Sequence, residues 1–345
     1  GSCVGIVIDG CPAGLPVAQE DIQRKLDKRR PGGSPASTGR VEEDRVEVLS
    51  GVCDERATGA PICLLTWNAD VDSGEYRKSR FLPRPGHADY TAFMKYGGFN
   101  DFRGGGRFSG RITAAFVAAG AVAGKILGLA GIEVLAHTLE IGGVRAGLKE
   151  FGEIKENVGK SHVRCGDPQA EQAMCGAIER AKQENDSIGG IIEGIAINVP
   201  VGLGEPVFDT LEGDLAKALF AIPGVKGVEF GSGFSAARKR GSENNDAFVI
   251  REGKIATATN NAGGILGGIS SGMPVVVRVA IKPTSSIALR QDTVDMKNMK
   301  SASLTVKGRH DVCIVPRAVA VVESMMAVTL CDFAMRAGLI PRVAR

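Results

Sequence analysis

A chain of 345 residues, 43% of them hydrophobic, has ample material for one large core or two smaller ones. Its net charge of +3 is too small to point to nucleic acid or an anionic membrane, so any anion site must come from locally clustered arginines and lysines. Glycine is abundant at 47, aromatics are scarce at 5%, and the eight cysteines (Cys3, Cys11, Cys53, Cys63, Cys165, Cys175, Cys313, Cys331) show neither a CxxC pair nor a His/Cys ligand spacing, which argues for reduced, mostly buried thiols in a cytosolic protein without a zinc site. No apolar run reaches transmembrane length without interruption, and no signal peptide is visible.

Residues 4–9 alternate and are β-rich, so a strand opens the chain and a turn cluster at 10–16 follows. Residues 18–30 read as a helix with Ile22 and Leu26 on one face, stopped by Pro31 and Gly32. Lys28, Arg29 and Arg30 in its last turn complement the helix dipole, a sufficient structural reason for them. The Ser, Pro and Gly at 33–39 predict a mobile loop, and 46–52 and 60–67 predict two strands joined by a turn at 56–59. The charged stretch 70–80 reads as a surface loop and runs into FLPRPGHADYT at 81–91. There Pro83 and Pro85 fix an extended path, Gly86 loosens it, and His87 follows between Arg84 and Asp89. With four histidines in the chain, one framed this way is a functional candidate beside the structural reading that a lone histidine carries.

The stretch RGGGRFSGRITAAFVAAGAVAG at 103–124 joins two kinds of physics. Gly104, Gly105 and Gly106 let the backbone take positive φ and approach a ligand, and Arg103, Arg107 and Arg111 stand four apart through and past them. From Ile112 the small, Ala- and Val-rich pattern predicts a helix packed closely on all sides. Arginines at the mouth of a buried helix make an anion site, or else a tight turn with solvated charges; the residues alone leave both open.

Further on, 132–141 predicts a strand, 142–166 a peripheral polar stretch, 168–185 an amphipathic helix, 188–199 a strand, 211–221 a helix and 225–230 a strand. The stretch 231–262 is loop-rich, and Gly263, Gly264, Gly267, Gly268 and Gly272 suggest backbone lying against a ligand. A strand at 275–281 leads into Lys282, Pro283, Thr284, Ser285 and Ser286, where a lysine and three hydroxyls either cradle a phosphate or form an ordinary polar turn. Arg309, His310 and Asp311 then stand at the entry to a second Ala/Val-rich helix. Two units of polar mouth and small-residue helix predict an internal two-fold. There is no GxxxxGK[ST], no GxSxG and no dinucleotide fingerprint, which argues against the standard nucleotide-binding folds.

Taken together, RPGHADY (84–90), RGGGRFSGRITAAFVAAGAVA (103–123), SIGG (187–190), PVGLGEPVFD (200–209), NNAGGILGGISSG (260–272), KPTSS (282–286) and GRHDVCIVPRAVAVVES (308–324) resemble the chorismate synthase family over nearly the whole chain. The resemblance implies one α+β domain over 1–345, a β-α-β sandwich with core helices between two antiparallel sheets, in a cytoplasmic homotetramer. It implies a shikimate-pathway lyase that converts 5-enolpyruvylshikimate 3-phosphate to chorismate by 1,4-anti elimination, using reduced FMN. It implies Arg29, Arg30, Arg84, Arg111 and Arg309 as substrate contacts, each charge-assisted contact contributing about 1.5–3 kcal/mol. FMN would lie along Arg107, Phe108, Ser109, Gly267, Lys282, Pro283, Thr284, Ser285, Ser286 and Arg309, with Pro223 and Gly224 of a neighbouring subunit. His87 would exchange a proton near the reduced flavin, and Asp311 would assist proton removal through it. The family's Phe-Gly-Glu-Ser-His-Gly motif would end at Gly1, so its Ser and His are expected to precede the residues given. Pro35 stands where many relatives have a basic residue, with Arg40 as the expected substitute. Two other readings stand beside the lyase: a bifunctional enzyme that also reduces FMN with NADPH, and, for a truncated chain, a non-catalytic FMN-binding oligomer.

Overall fold

The structure is a computed structural model that describes residues 1–30, 44–68, 74–306 and 310–344. The loop expected at 33–39, Arg40, residues 69–73 and Arg309 lie outside it. In chain order, Cys3–Ile8 forms β1, Gln19–Arg29 α1, Val46–Ser50 β2 and Ile62–Trp67 β3. Asp89–Lys95 forms α2 and Thr113–Gly128 α3, followed by Glu133–Ile141 as β4, Val144–Arg145 as β5, Phe151–Val158 as α4 and Pro168–Gln183 as α5. Gly190–Ile197 is β6, Leu211–Phe220 α6, Val225–Phe230 β7, Val275–Ile281 β8, Arg290–Asp295 β9, Lys300–Thr305 β10 and Val315–Arg336 α7.

Eight of these strands make two antiparallel sheets, ordered β1-β3-β2 and β5-β4-β6-β8-β7, with α1, α3, α6 and α7 contributing buried side chains between them, and β9 pairs with β10 as a separate hairpin. The expected two-fold is visible in the connectivity. The run β1, α1, β2, β3, α3 gives sheet order β1-β3-β2; β6, α6, β7, β8, α7 gives β6-β8-β7. The architecture is the expected β-α-β sandwich.

Small residues set the central spacing. A Cβ built on Gly120 of α3 would lie 2.2 Å from the Cβ of Ser324 on α7, so the two helix backbones meet in van der Waals contact. One layer out, a Cβ on Gly194 of β6 would lie 2.2 Å from Met326 Sδ, which seats α7 on the larger sheet. Both central helices are long and apolar enough to cross a membrane by length and composition, a property the reading of interrupted apolar runs missed. Burial explains their composition: α3 hides residues around its whole circumference, from Thr113 and Ala114 to Ile126 and Leu127.

Three stretches are more ordered than their sequence predicts. Within 142–166, α4 buries Ile154 against Leu135 and Ile195 on the outer face of the larger sheet. Within 231–262, Phe248–Arg251 and Lys254–Thr257 pair as a hairpin. The β9–β10 hairpin grips the proline segment, where Thr293 Oγ1 donates to Pro83 O at 2.6 Å and Met296 N to Phe81 O at 3.0 Å. The cysteines are all free thiols; Cys11, Cys165, Cys313 and Cys331 are buried, whereas Cys3 and Cys53 are exposed.

Candidate active site

Two polar groups gather where the helices α3 and α7 begin. The first is built on the proline segment. Arg84 donates to Asp89 from Nε (2.8 Å) and Nη2 (2.9 Å), and its backbone N–H reaches the same carboxylate at 3.0 Å. His87 Nδ1 lies 2.7 Å from Asp89 Oδ1. A carboxylate only accepts, so the contact with Asp89 assigns the proton of a neutral ring to Nδ1 and leaves Nε2 the acceptor, 3.3 Å from the Arg84 Nη2 donor. Burial alone would raise Asp89, but Arg84 and His87 outweigh it and hold the carboxyl well below the usual range. The ring rests on the glycine loop: a Cβ on Gly105, at φ +86°, would lie 3.5 Å from His87 Nε2.

The turn after β8 closes against this segment. Lys282 Nζ donates to Ser285 Oγ, and Ser285 Oγ to Gly86 O, each at 2.8 Å. Arg84 Nη1 donates to Ser286 Oγ at 3.1 Å. Thr284 Oγ1 donates to Asp311 O at 3.0 Å, while the Thr284 carbonyl accepts from Ser187 Oγ at 2.8 Å. Burial, then the charge of Lys226, pushes Lys282 below the ordinary lysine range. Lys282 N also donates to Gly224 O, just before β7, at 2.9 Å. Gly224, expected with Pro223 at a neighbouring subunit's flavin, thus also meets the Lys282 turn of its own chain.

The second group is a knot of paired charges. Arg29 is 3% exposed and uses every guanidinium nitrogen: Nε on Thr113 Oγ1 (2.8 Å), Nη1 on Asp44 Oδ2 (2.7 Å) and Nη2 on Gly110 O (3.1 Å). Asp44, its side chain fully buried, gives its other oxygen to Arg111 Nη1. Arg111 also donates to Asn68 Oδ1 (2.8 Å) and Trp67 O (3.2 Å). Arg317 joins the two groups, donating from Nε to Arg29 O at 3.0 Å and from Nη1 to Asp311 Oδ2. A continuous chain of polar contacts thus runs from Asn68 through Arg111, Asp44, Arg29, Arg317 and Asp311 to Thr284.

Of the other expected residues, Arg107 is exposed, while Phe108 and Ser109 are half-buried, Ser109 Oγ accepting from Arg111 N at 3.2 Å. Arg30 pairs with Asp27 at 3.1 Å. Gly267 is not brought to the turn. It caps the hairpin Ile265–Leu266/Ile269–Ser270, which contacts Thr210 and Leu211 near the start of β8, whereas Lys282 follows its end, about 20 Å of strand away. Asp44 and Arg317 escaped the sequence reading. Arg317 had a signal, a lone arginine inside the first turn of an apolar helix; Asp44, in a run of mixed charges, had none.

Lys282 with three neighbouring hydroxyls, and no carboxylate hydrogen-bonded to it among the described residues, has the donor chemistry of a phosphate monoester site and fits the phosphate of a bound FMN. Glycine at 86 suits the backbone φ of +70° and lies against that face, where a Cβ would stand at ordinary contact distance, 3.5 Å from Ser285 Oγ and 3.8 Å from Lys282 Nζ.

Comparison with known proteins agrees with this arrangement. The chorismate synthase family model matches residues 1–335. A chorismate synthase of Dehalococcoides mccartyi is 57% identical over 345 residues, covering 100% of this chain and 95% of the relative. One of Korarchaeum cryptofilum is 56% identical over 336 residues (97% and 93%), and one of Methanosarcina mazei 52% over 340 (99% and 93%). A crystal structure of chorismate synthase superposes with a TM-score of 0.77 at 32% identity, covering 98% of this chain and 89% of that one. The chain belongs to the chorismate synthase family.

Proposed function

We propose that the His87–Asp89–Arg84 group and the Lys282–Ser286 turn form the floor of the active site of a flavin-dependent lyase. Membership of the family makes the chain a carbon–oxygen lyase of the shikimate pathway, converting 5-enolpyruvylshikimate 3-phosphate to chorismate and phosphate. Reduced FMN supplies electron density to this 1,4-anti elimination, which has no net redox change.

The chain's own residues then divide the work. Lys282, Thr284, Ser285 and Ser286 bind the flavin phosphate, with Pro223 and Gly224 packed beside them and Arg107, Phe108 and Ser109 along the glycine loop. Arg84 stays charged and fixed by Asp89, and it holds an anionic group of the substrate next to His87. Arg30 and Arg309 add further positive charge for the phosphate and carboxylates. Arg111, held by Asp44, Asn68 and the Trp67 carbonyl, adds positive charge beside the substrate, and Arg29, enclosed, acts through Asp44 on its orientation. His87 takes or returns a proton at Nε2, because Asp89 occupies Nδ1. Asp311, anchored by Arg317, accepts the proton lost from the ring. Gly267, distant from the turn in its own chain, contacts the flavin from a second subunit of a homotetramer. With eight free thiols, half of them buried, the protein suits the reducing cytoplasm.

The observation that carries this reading is the Ser285–Gly86 hydrogen bond, which sets the hydroxyl-rich turn one residue from His87. The test is anaerobic phosphate release from 5-enolpyruvylshikimate 3-phosphate with dithionite-reduced FMN. Wild type turns over, and His87→Ala is slower by about 10²–10⁴-fold, the usual contribution of a positioned acid–base group. Equal rates would remove His87 from the chemistry.

A further inference from the structure

β7 is the edge strand of the larger sheet, and its pairing with β8 holds one irregularity. The register is even from Val277↔Phe230 to Ala280↔Gly227, then passes to Ile281↔Val225. Between those pairs β7 carries one residue more than β8, and that residue is Lys226. A bulge bends its strand and re-aims the extra side chain, and bulges recur beside active sites for that reason. Here the bulge adjoins the Lys282–Ser286 turn, through the Lys282 N–Gly224 O bond of 2.9 Å. Val225 and Ile281, which face one another, are both buried in the core, while Lys226 stands exposed.

Neither lysine pairs with a carboxylate among the described residues; Lys282 bonds only to Ser285 and to its own turn at Pro283 O. That the two ammonium groups sense each other is consistent with the lowered proton affinity of Lys282, to which burial contributes most and Lys226 next. Two like charges beside the hydroxyls of the turn, neither paired with a carboxylate among the described residues, raise the local attraction for a dianion.

We propose that Lys226 is a second cationic ligand of the phosphate-monoester site at the Lys282–Ser286 turn, aimed there by the bulge in β7. The inference rests on the reading of that turn given above. The phosphate is that of the flavin or that of the substrate, and the two sources separate by experiment. FMN, riboflavin and 5-enolpyruvylshikimate 3-phosphate are titrated by calorimetry against wild type, Lys226→Gln, Lys226→Arg and Lys282→Gln. If the flavin phosphate sits there, Lys226→Gln binds FMN about tenfold more weakly, the loss of one charge-assisted contact, with riboflavin unchanged and Lys226→Arg near wild type. If the substrate phosphate sits there, the same loss falls on the substrate and FMN is unaffected. Unchanged affinity for both phosphorylated ligands in Lys226→Gln, or parallel losses for FMN and riboflavin, overturns the proposal. Lys282→Gln keeps the two levels apart: a phosphate-specific loss there without one at Lys226 leaves the turn as the site and removes Lys226 alone, while no loss at either removes the turn as well.

Discussion

The two cationic groups at the helix mouths are answered in opposite ways. Around Asp44, two guanidiniums share one enclosed carboxylate and spend their remaining donors on Thr113, Asn68 and backbone carbonyls. Around Lys282, the ammonium meets Ser285 Oγ and the Pro283 carbonyl and, among the described residues, hydrogen-bonds to no carboxylate. Desolvation explains the contrast. A guanidinium that is 3% exposed must be paired or its burial would cost several kcal/mol, so the first group is committed to the fold. The second is half-open, and the Lys282 ammonium, bonded to Ser285 Oγ and Pro283 O, keeps a third N–H for a ligand. Arginines that look equivalent in sequence therefore divide into those that hold the mouth in shape and those that face what enters it.

Breaking one partner in each group should separate these roles. Asp44→Asn keeps the shape and tolerates the left-handed backbone at φ 45°, but leaves two guanidiniums without their counter-charge. Loss of a buried partner costs about 3–5 kcal/mol, read as a fall in the urea midpoint at constant m-value. Lys282→Gln alters one or two hydrogen bonds of a half-buried group and should cost about 0.5–1.5 kcal/mol, well below the Asp44→Asn loss. A loss below about 1 kcal/mol for Asp44→Asn would mean that the knot is solvated and that the contrast is false.

The two mouths are tied together by the helix pair, and Gly120→Ala tests that link. Its methyl group would enter the space of Ser324 and force α3 and α7 apart. Overpacking of this kind costs about 1–3 kcal/mol, partly offset by the better helix propensity of alanine. A smaller drop than that of Asp44→Asn is expected in the same denaturation series. A neutral or stabilising result would show that the interface can spread without cost.

Much of this was legible in sequence. The strands, the two small-residue helices and the internal two-fold follow from period and composition, because each element buries one face or all of it. The His87 frame was legible because prolines and adjacent opposite charges are local signals. What could not be read was long-range: that Asp44 lies between Arg29 and Arg111, that Arg317 reaches back to α1, or that the start and end of β8 separate Gly267 from Lys282. Nor does sequence show a bulge, since Lys226 acquires its position only when β7 pairs with β8. Helix α4 went unseen because Ile154 meets partners on β4 and β6, far away in the chain.

The smallest effect expected is the one that distinguishes the groups by pH. Asp89 is held below the usual carboxylate range because Arg84 and His87 favour its charged form by more than burial opposes it. A carboxyl depressed in the folded state adds stability that is fully present above its unfolded pKa of about 3.9 and is lost as pH falls through the folded value. Wild type should therefore lose midpoint temperature steadily below about pH 4. Glu193 and Asp246, depressed by their own partners, contribute to the same slope, so wild type alone identifies nothing. The difference between wild type and Asp89→Asn isolates the one group: the variant starts less stable at pH 7, and the gap begins to narrow only once pH falls below about 4. A gap that stays constant with pH would mean that Asp89 contributes packing and hydrogen bonds to His87 but no charge, and Arg84 would then have to be held by something other than the ion pair drawn here.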